Sequence, residues 1–249
     1  MAHIVFGGSS GIGSLVVNEL IRIVENDVIN VDLLPSNCSM ISENWVGDLA
    51  NRRFVQDIIA RLDELTRIDS ILWAIRYRNP GLISDVEILH GTLVVELFPV
   101  IAIFESISQK IVEDSPSVCL LSSIASKFVS SQHLAYSIVK SSHETLARNL
   151  AVKYGDVCNA RFNTISPGIV DLPLRSDALS TRNPQATILE RAAIPRLSPV
   201  KGIELAKLII FLLSDNSSAL NGANLLADGG ETLLDQYFVA ERTLRLLSK

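Results

Sequence analysis

Ala2-His3-Ile4-Val5-Phe6-Gly7-Gly8-Ser9-Ser10-Gly11-Ile12-Gly13 passes from a short apolar run straight into a glycine cluster, and helical periodicity follows at once. An apolar run without polar alternation is the pattern of a strand buried on both faces. Glycines directly after it let the chain turn tightly and bring backbone N–H groups close to a phosphate. The N-terminus of the following helix then stabilises the phosphate charge. Strand, glycine turn and helix in this order open a βαβ unit, the setting that a dinucleotide fingerprint requires. Gly7, Ser9, Ser10, Gly11, Ile12 and Gly13 are therefore the candidate pyrophosphate-binding residues.

Working outward, similar apolar runs occupy 28–31, 71–75, 118–121, 161–165 and 224–227. Helical periodicity separates them over 12–24, 52–66, 85–112, 136–154 and 203–213. The alternation predicts an α/β fold, a Rossmann-type doubly wound parallel sheet with helices on both faces, with ligands at the carboxyl ends of the strands. The 249 residues hold no repeat and no low-complexity linker, so 1–249 reads as a single domain. The least regular stretch, 171–199, carries Pro173, Pro184, Pro195 and Pro199 and reads as a loop over the substrate. The tail, 231–249, has apolar residues to pack on a partner subunit or to cover the site.

Composition narrows the function. A net charge of −5 leaves no basic footprint for nucleic acid or an anionic membrane. The apolar stretch 92–104 contains Glu96 and Pro99 and is too short to span a bilayer, and no signal-peptide pattern opens the chain. Cys38, Cys119 and Cys158 are few and scattered, which argues against a disulfide framework or a metal site and for a cytoplasmic protein. Hydrophobic residues make up 48% of the chain, enough for a large core and for a buried subunit interface.

Four more residues carry candidate chemistry. Asp32 follows the second apolar run about 20 residues beyond the glycines, where a carboxylate accepts hydrogen bonds from the adenosine ribose. It repels a 2′-phosphate, so NAD(H) is expected over NADP(H). Tyr136 and Lys140 stand at i and i+4 and share one helix face, where an ammonium lowers the phenol's pKa toward useful acid–base work. Ser123 ends the apolar run 118–121, thirteen residues before Tyr136, in place to bind a substrate oxygen. Asp48, after a further short strand, reads in isolation as a helix cap.

In combination these residues resemble the short-chain dehydrogenase/reductase family over essentially the whole chain. Gly7 to Gly13 is similar to its glycine motif, Asp48-Leu49 to the segment that contacts adenine, and Ile165-Ser166-Pro167-Gly168-Ile169-Val170 to the Pro-Gly segment beside the nicotinamide. Ser123, Tyr136 and Lys140 match its catalytic serine, tyrosine and lysine. The resemblance implies hydride transfer between nicotinamide and a small carbonyl or alcohol. Tyr136 is then general acid or base, Lys140 lowers its pKa and holds the ribose, and Ser123 orients the substrate oxygen. Asp48, Leu49, Ala74, Pro167, Gly168 and Ile169 join the cofactor contacts, with no metal. It also implies a homodimer or homotetramer built on the helices over 85–112 and 136–154.

The chain departs from the family pattern at several places. Phe6 replaces a threonine before the glycines, and Trp73-Ala74-Ile75-Arg76 replaces Asn-Asn-Ala-Gly. Leu172 replaces a threonine that touches the nicotinamide carboxamide. Glu96 stands where the family has an asparagine that helps hold a water in the proton relay to lysine. Glu96 can pair with Lys140 directly, and Arg76 can bind an acidic substrate group or swing out to solvent. An NAD-binding scaffold with little turnover, and a dehydratase or epimerase on the same fold, remain as alternatives.

Overall fold

The computed structural model of the chain describes residues 2–24, 27–78, 84–128, 134–172 and 184–248. Its main sheet is built from β1 (His3–Phe6), β2 (Val28–Asp32), β3 (Glu43–Val46), β4 (Ser70–Trp73), β5 (Ser117–Leu121), β6 (Arg161–Pro167) and β9 (Asn224–Ala227). These seven strands are all parallel and lie in the order β3-β2-β1-β4-β5-β6-β9. A separate parallel pair joins β7 (Val170–Asp171) to β8 (Val200–Lys201).

The strands lack polar alternation because both faces are covered. Successive side chains point to opposite faces, so Ile4 and Phe6 enter one apolar cluster while Val5 enters the other. The first cluster is closed by α2 (Arg52–Glu64), α4 (Phe98–Ser106), α5 (Ser108–Asp114) and α6 (Leu134–Gly155). The second is closed by α1 (Gly11–Leu20) and the helix over Gly202–Leu213, here α8. The expected doubly wound architecture is thus observed. The short strand expected before Asp48 is β3, on the sheet edge with only Trp45 buried.

Three expected elements differ. The helix expected over 12–24 closes at Leu20, and 21–24 continue only as turns, with Ile23 and Val24 N–H groups bonded to the Leu20 carbonyl. The helix expected over 85–112 is divided into α3 (Asp85–Thr92), a π turn (Leu93–Leu97), α4 and α5. Pro99 lacks the N–H that an α-helix would give to the Val95 carbonyl, and Phe98 N–H instead reaches back five residues to Leu93. The helical run from Asp85 to Ser106 has the length and composition of a membrane span. It nevertheless buries Val100, Ile103 and Phe104 in the core and carries an ionised pair at Glu96. Within 171–199, Pro184–Ala193 forms helix α7, while 173–183 lies outside the described residues. The tail forms α9 (Gln236–Leu247), capped by Asp235 and bonded to the end of α7 through Arg242, which donates to the Ile194 and Pro195 carbonyls.

Arg161 opens β6 with its guanidinium buried. It donates to the Ser214 carbonyl at 2.8 Å, to the Ser217 carbonyl at 2.8 Å, to Ser217 Oγ at 2.7 Å and to Ser117 Oγ. The cation thereby satisfies carbonyls just past the negative end of α8 and ties that helix to the sheet. Replacing Arg161 by methionine keeps the bulk but strands these acceptors in a dry site. The variant is expected to lose about 3 kcal/mol of stability, read as a lower urea midpoint at unchanged slope.

Candidate functional site

The strand order reverses between β1 and β4, and ligands of open parallel sheets bind at the carboxyl ends beside such a reversal. Gly7 follows β1 and Ala74 follows β4, and the Ala74 N–H bonds to the Phe6 carbonyl at 2.8 Å. Gly7 has a φ of +89°, and a Cβ there would lie 2.8 Å from the Ala74 oxygen. At Gly13 a Cβ would lie 2.0 Å from the Gly7 oxygen, so only glycine lets α1 start this close to the turn. Ser10, the cap of α1, is extended and places no side-chain bond on the helix terminus, and the first turn holds no acid. Ser9, Ser10, Gly11 and Ile12 thus surround a helix N-terminus that the Ser10 side chain leaves uncapped, which suits a pyrophosphate.

Asp32 sits beside this turn and accepts the Ser9 N–H at 2.9 Å and the Leu33 N–H at 2.7 Å. These bonds fix its carboxylate at the end of β2, where an adenosine ribose would reach it. The glycine turn and this acid fit the adenosine half of a dinucleotide. Asp48 is exposed and accepts the Ala50 N–H, while Asn51 is the residue that caps α2, so the helix-cap reading of Asp48 is corrected by one turn. Leu49 turns its side chain into the core.

On the other side of the reversal, the end of β5 leads to Ser123 and α6 carries Tyr136 and Lys140. Ser123 is buried at the end of β5, where its Oγ accepts the Ala125 N–H. Its neighbour Ser122 donates to the Lys140 carbonyl at 2.9 Å, which clips the strand end to α6. Lys140 Nζ lies 5.7 Å from the centre of the Tyr136 ring. The ammonium is only 3% exposed and donates to the Leu121 carbonyl at 3.1 Å and to Glu96 Oε2 at 2.9 Å. Glu96 is 1% exposed and takes the Tyr77 N–H on Oε1 at 2.7 Å. The direct pairing of Glu96 with Lys140 that the sequence allowed is therefore observed.

The departures at Phe6, Trp73 and Glu96 form one connected structure. Phe6 and Trp73 are paired across β1 and β4, with ring centres 4.6 Å apart. Trp73 Nε1 donates to the Glu96 carbonyl at 3.0 Å, and the π turn presents that carbonyl inward. His143 Nε2 meets the same oxygen at 3.2 Å, and its Nδ1 faces the Leu121 carbonyl at 3.4 Å. A neutral imidazole has one N–H, which we assign to the nearer contact. Leu172 packs into the apolar cluster under α1 and α8. Arg76 is exposed, with its guanidinium carbon 4.8 Å from the centre of the Tyr136 ring.

Three site residues escaped the sequence reading. His143 was one turn past Lys140 on the same helix, and its position was the available signal. Glu144 is buried and accepts the hydroxyls of Ser126 and Ser166 on one oxygen, with Ser122 Oγ 3.1 Å from it, bracing the turn that carries Ser123. Glu231 accepts the Ile169 N–H at 3.0 Å, and a Cβ on Gly168 would lie 2.4 Å from the same carboxylate oxygen. Sixty-two residues separate the two partners, so no local pattern reveals them. Pro167 ends β6, and Gly168 N–H bonds to the Ala227 carbonyl.

Residues 34–232 match the family model described as Enoyl-(Acyl carrier protein) reductase. L-xylulose reductase of Bos taurus is 26% identical over 235 residues, covering 91% of this chain and 94% of that protein. Oxidoreductase UcpA of Escherichia coli is 33% identical over 121 residues, and that match spans 46% of UcpA, about half its length. Among solved structures, a short chain dehydrogenase family protein from Francisella tularensis aligns with a TM-score of 0.79 at 24% identity, over 94% of this chain and 99% of that one. A 4-hydroxyisoleucine dehydrogenase complexed with NADH aligns with a TM-score of 0.82 at 21% identity, over 94% of this chain and 100% of its own.

Burial, and then the charge of Lys140, push the His143 pKa down from 6.5 to about 3. The unfolded chain therefore binds the proton first as pH falls, and His143 contributes stability that is complete above pH 6.5 and is lost toward pH 3. Between pH 7 and pH 5 this residue alone is expected to remove about 2 kcal/mol. Urea unfolding of wild type and His143→Gln at both pH values measures it, and the glutamine variant is expected to show a correspondingly smaller loss.

Proposed function

The chain belongs to the short-chain dehydrogenase/reductase family, and on that footing we propose that it is an NAD(H)-dependent oxidoreductase acting on a small carbonyl or alcohol. The observation that carries the proposal is the Tyr136–Lys140 pair on α6, whose ammonium bonds to the Leu121 carbonyl at the carboxyl end of β5, the strand that leads to Ser123. Bound nicotinamide supplies or accepts the hydride. The chain's own part is to bind, orient and protonate. Tyr136 gives its hydroxyl proton to the carbonyl oxygen in reduction and takes it back in oxidation. The Ser123 hydroxyl orients that oxygen and stabilises it as negative charge develops. Lys140 keeps a cation beside the phenol ring, with one proton committed to Glu96 and one to the Leu121 carbonyl.

Gly7, Ser9, Ser10, Gly11, Ile12 and Gly13 hold the pyrophosphate in this reading, and Asp32 takes the ribose hydroxyls. Asp48 and Leu49 contribute at the adenine, with Ala74, Pro167, Gly168 and Ile169 toward the nicotinamide. The hollow on α4 and α6, lined by Ile101, Phe104, Leu146 and Leu150 together with Glu105, Asn149 and Lys153, suits the subunit contact of a homodimer or homotetramer. The 171–199 segment serves as the substrate loop and α9 as its flank.

A second reading, an NAD-binding protein with little turnover, draws on Glu96 and Glu231. Each carboxylate holds a donor that the resemblance assigns to the cofactor side of the site. Consumption of NADH across a panel of small carbonyls separates the two readings. Under the first, Tyr136→Phe is expected to lower turnover by roughly 100-fold or more with NADH affinity preserved. Turnover at the wild-type rate in that variant removes Tyr136 from the chemistry. Asp32→Ser is expected to tighten NADPH relative to NADH by roughly tenfold, about 1.4 kcal/mol, measured by fluorescence titration with each cofactor.

A further inference from the structure

Strand β2 holds a fully buried amide, Asn30, between Ile29 and Val31. Its nitrogen donates to Ser9 Oγ at 3.0 Å and to Asn44 Oδ1 at 2.9 Å. The amide cannot be turned over, because Asn44 Oδ1 also takes the Ser36 N–H at 2.9 Å and is therefore an acceptor. The Asn30 oxygen consequently faces Gly8, and among the described residues it has no partner. The space there is tight and apolar. A Cβ on Gly8 would lie 2.5 Å from this oxygen, 2.9 Å from Val17 and 3.1 Å from Val5. A buried carbonyl oxygen without a donor destabilises the fold, and a β-branched apolar residue would suit this strand better.

The two bonds of the amide nitrogen lead to the nucleotide side of the site. Ser9 belongs to the glycine turn, and its hydroxyl donates to the Leu34 carbonyl in the loop after β2. Asn44, on β3, holds the same loop at Ser36. The Asp32 carboxylate lies between turn and loop, with the Ser9 N–H on one oxygen and the Leu33 N–H on the other. Asn30 thus fixes from below the two walls that hold Asp32. Its loss would strand no donor, since Ser9 Oγ keeps its bond to Leu34 and Asn44 Oδ1 keeps the Ser36 N–H. The buried amide therefore contributes position to the site at the expense of stability.

We propose that Asn30 is a positioning residue for the adenosine ribose. Acting through Ser9, it sets the place of the Asp32 carboxylate and with it the preference for free ribose hydroxyls over a 2′-phosphate. Asn30 has this role on the reading of the glycine turn and Asp32 as the adenosine half of a dinucleotide site, and the role needs no turnover. Binding calorimetry on the full chain uses ADP-ribose and 2′-phospho-ADP-ribose as probes, and urea unfolding follows each variant. In Asn30→Val, ADP-ribose is expected to bind roughly tenfold more weakly, whereas the 2′-phosphate analogue, which Asp32 repels, should change by less than about threefold. The urea midpoint of that variant is expected to equal or exceed the wild-type value. Ser9→Ala should lose the same factor for ADP-ribose. The double variant should lose no more than either single one, because the two residues act in series. A lower urea midpoint in Asn30→Val, or equal weakening of both probes, makes the amide structural and overturns the proposal. ADP-ribose affinity that is unchanged in Asn30→Val, or a roughly hundredfold loss in the double variant, overturns it as well. In these cases wild type still binds ADP-ribose and the dinucleotide reading stands. If wild type binds neither probe, that reading falls and the role of Asn30 falls with it.

Discussion

The ammonium of Lys140 and the carboxylate of Glu96 meet at 2.9 Å in a place almost closed to solvent. Removing either charge from water costs several kcal/mol, so such a pair persists only where both partners find further bonds. Each does. Lys140 also donates to the Leu121 carbonyl, and Glu96 also accepts the Tyr77 N–H. The result is that β5, α6, the π turn and the segment after β4 are fastened at one point, from which Tyr136 and Ser123 take their positions. A half-satisfied pair would cost more than an apolar core, and this requirement governs the residues around it.

That requirement explains why sequence changes that look unrelated belong together. Phe6 supports Trp73, Trp73 holds the carbonyl of Glu96, and Glu96 holds Lys140. Tyr77, which completes the Glu96 carboxylate, lies against α3 at Gly91, where a Cβ would come within 2.5 Å of the phenol ring. Substituted one at a time, these residues would leave a hole or an unpaired group. As a set they satisfy one another.

The fold was legible because its signals are local. A strand buried on both faces has to be apolar throughout, and a helix that begins on a phosphate turn has to begin in glycines, as residues 2–13 do. Lys140 and Tyr136 could be paired from their spacing because a helix repeats. A boundary error came where a single residue interrupts that repeat. Pro99 puts a π turn between α3 and α4 in an expected continuous helix, because a missing N–H displaces the bonding pattern by one residue. Glu144 and Glu231 were illegible because their partners, hydroxyls from the turn after β5 and from β6 and the N–H of Ile169, come together only through the sheet. Arg76 was visible as a bulky replacement for a glycine. Its choice of the Tyr136 ring followed from the course of the chain after β4.

The Glu96 carbonyl has two lone pairs, and Trp73 and His143 take both. An oxygen so engaged has no acceptor capacity left for a water molecule. The resemblance gives the residue at this place a part in holding a water of the proton relay to the lysine. On the hydride-transfer reading, a relay water at Lys140 would then have to lean on an acceptor other than this carbonyl.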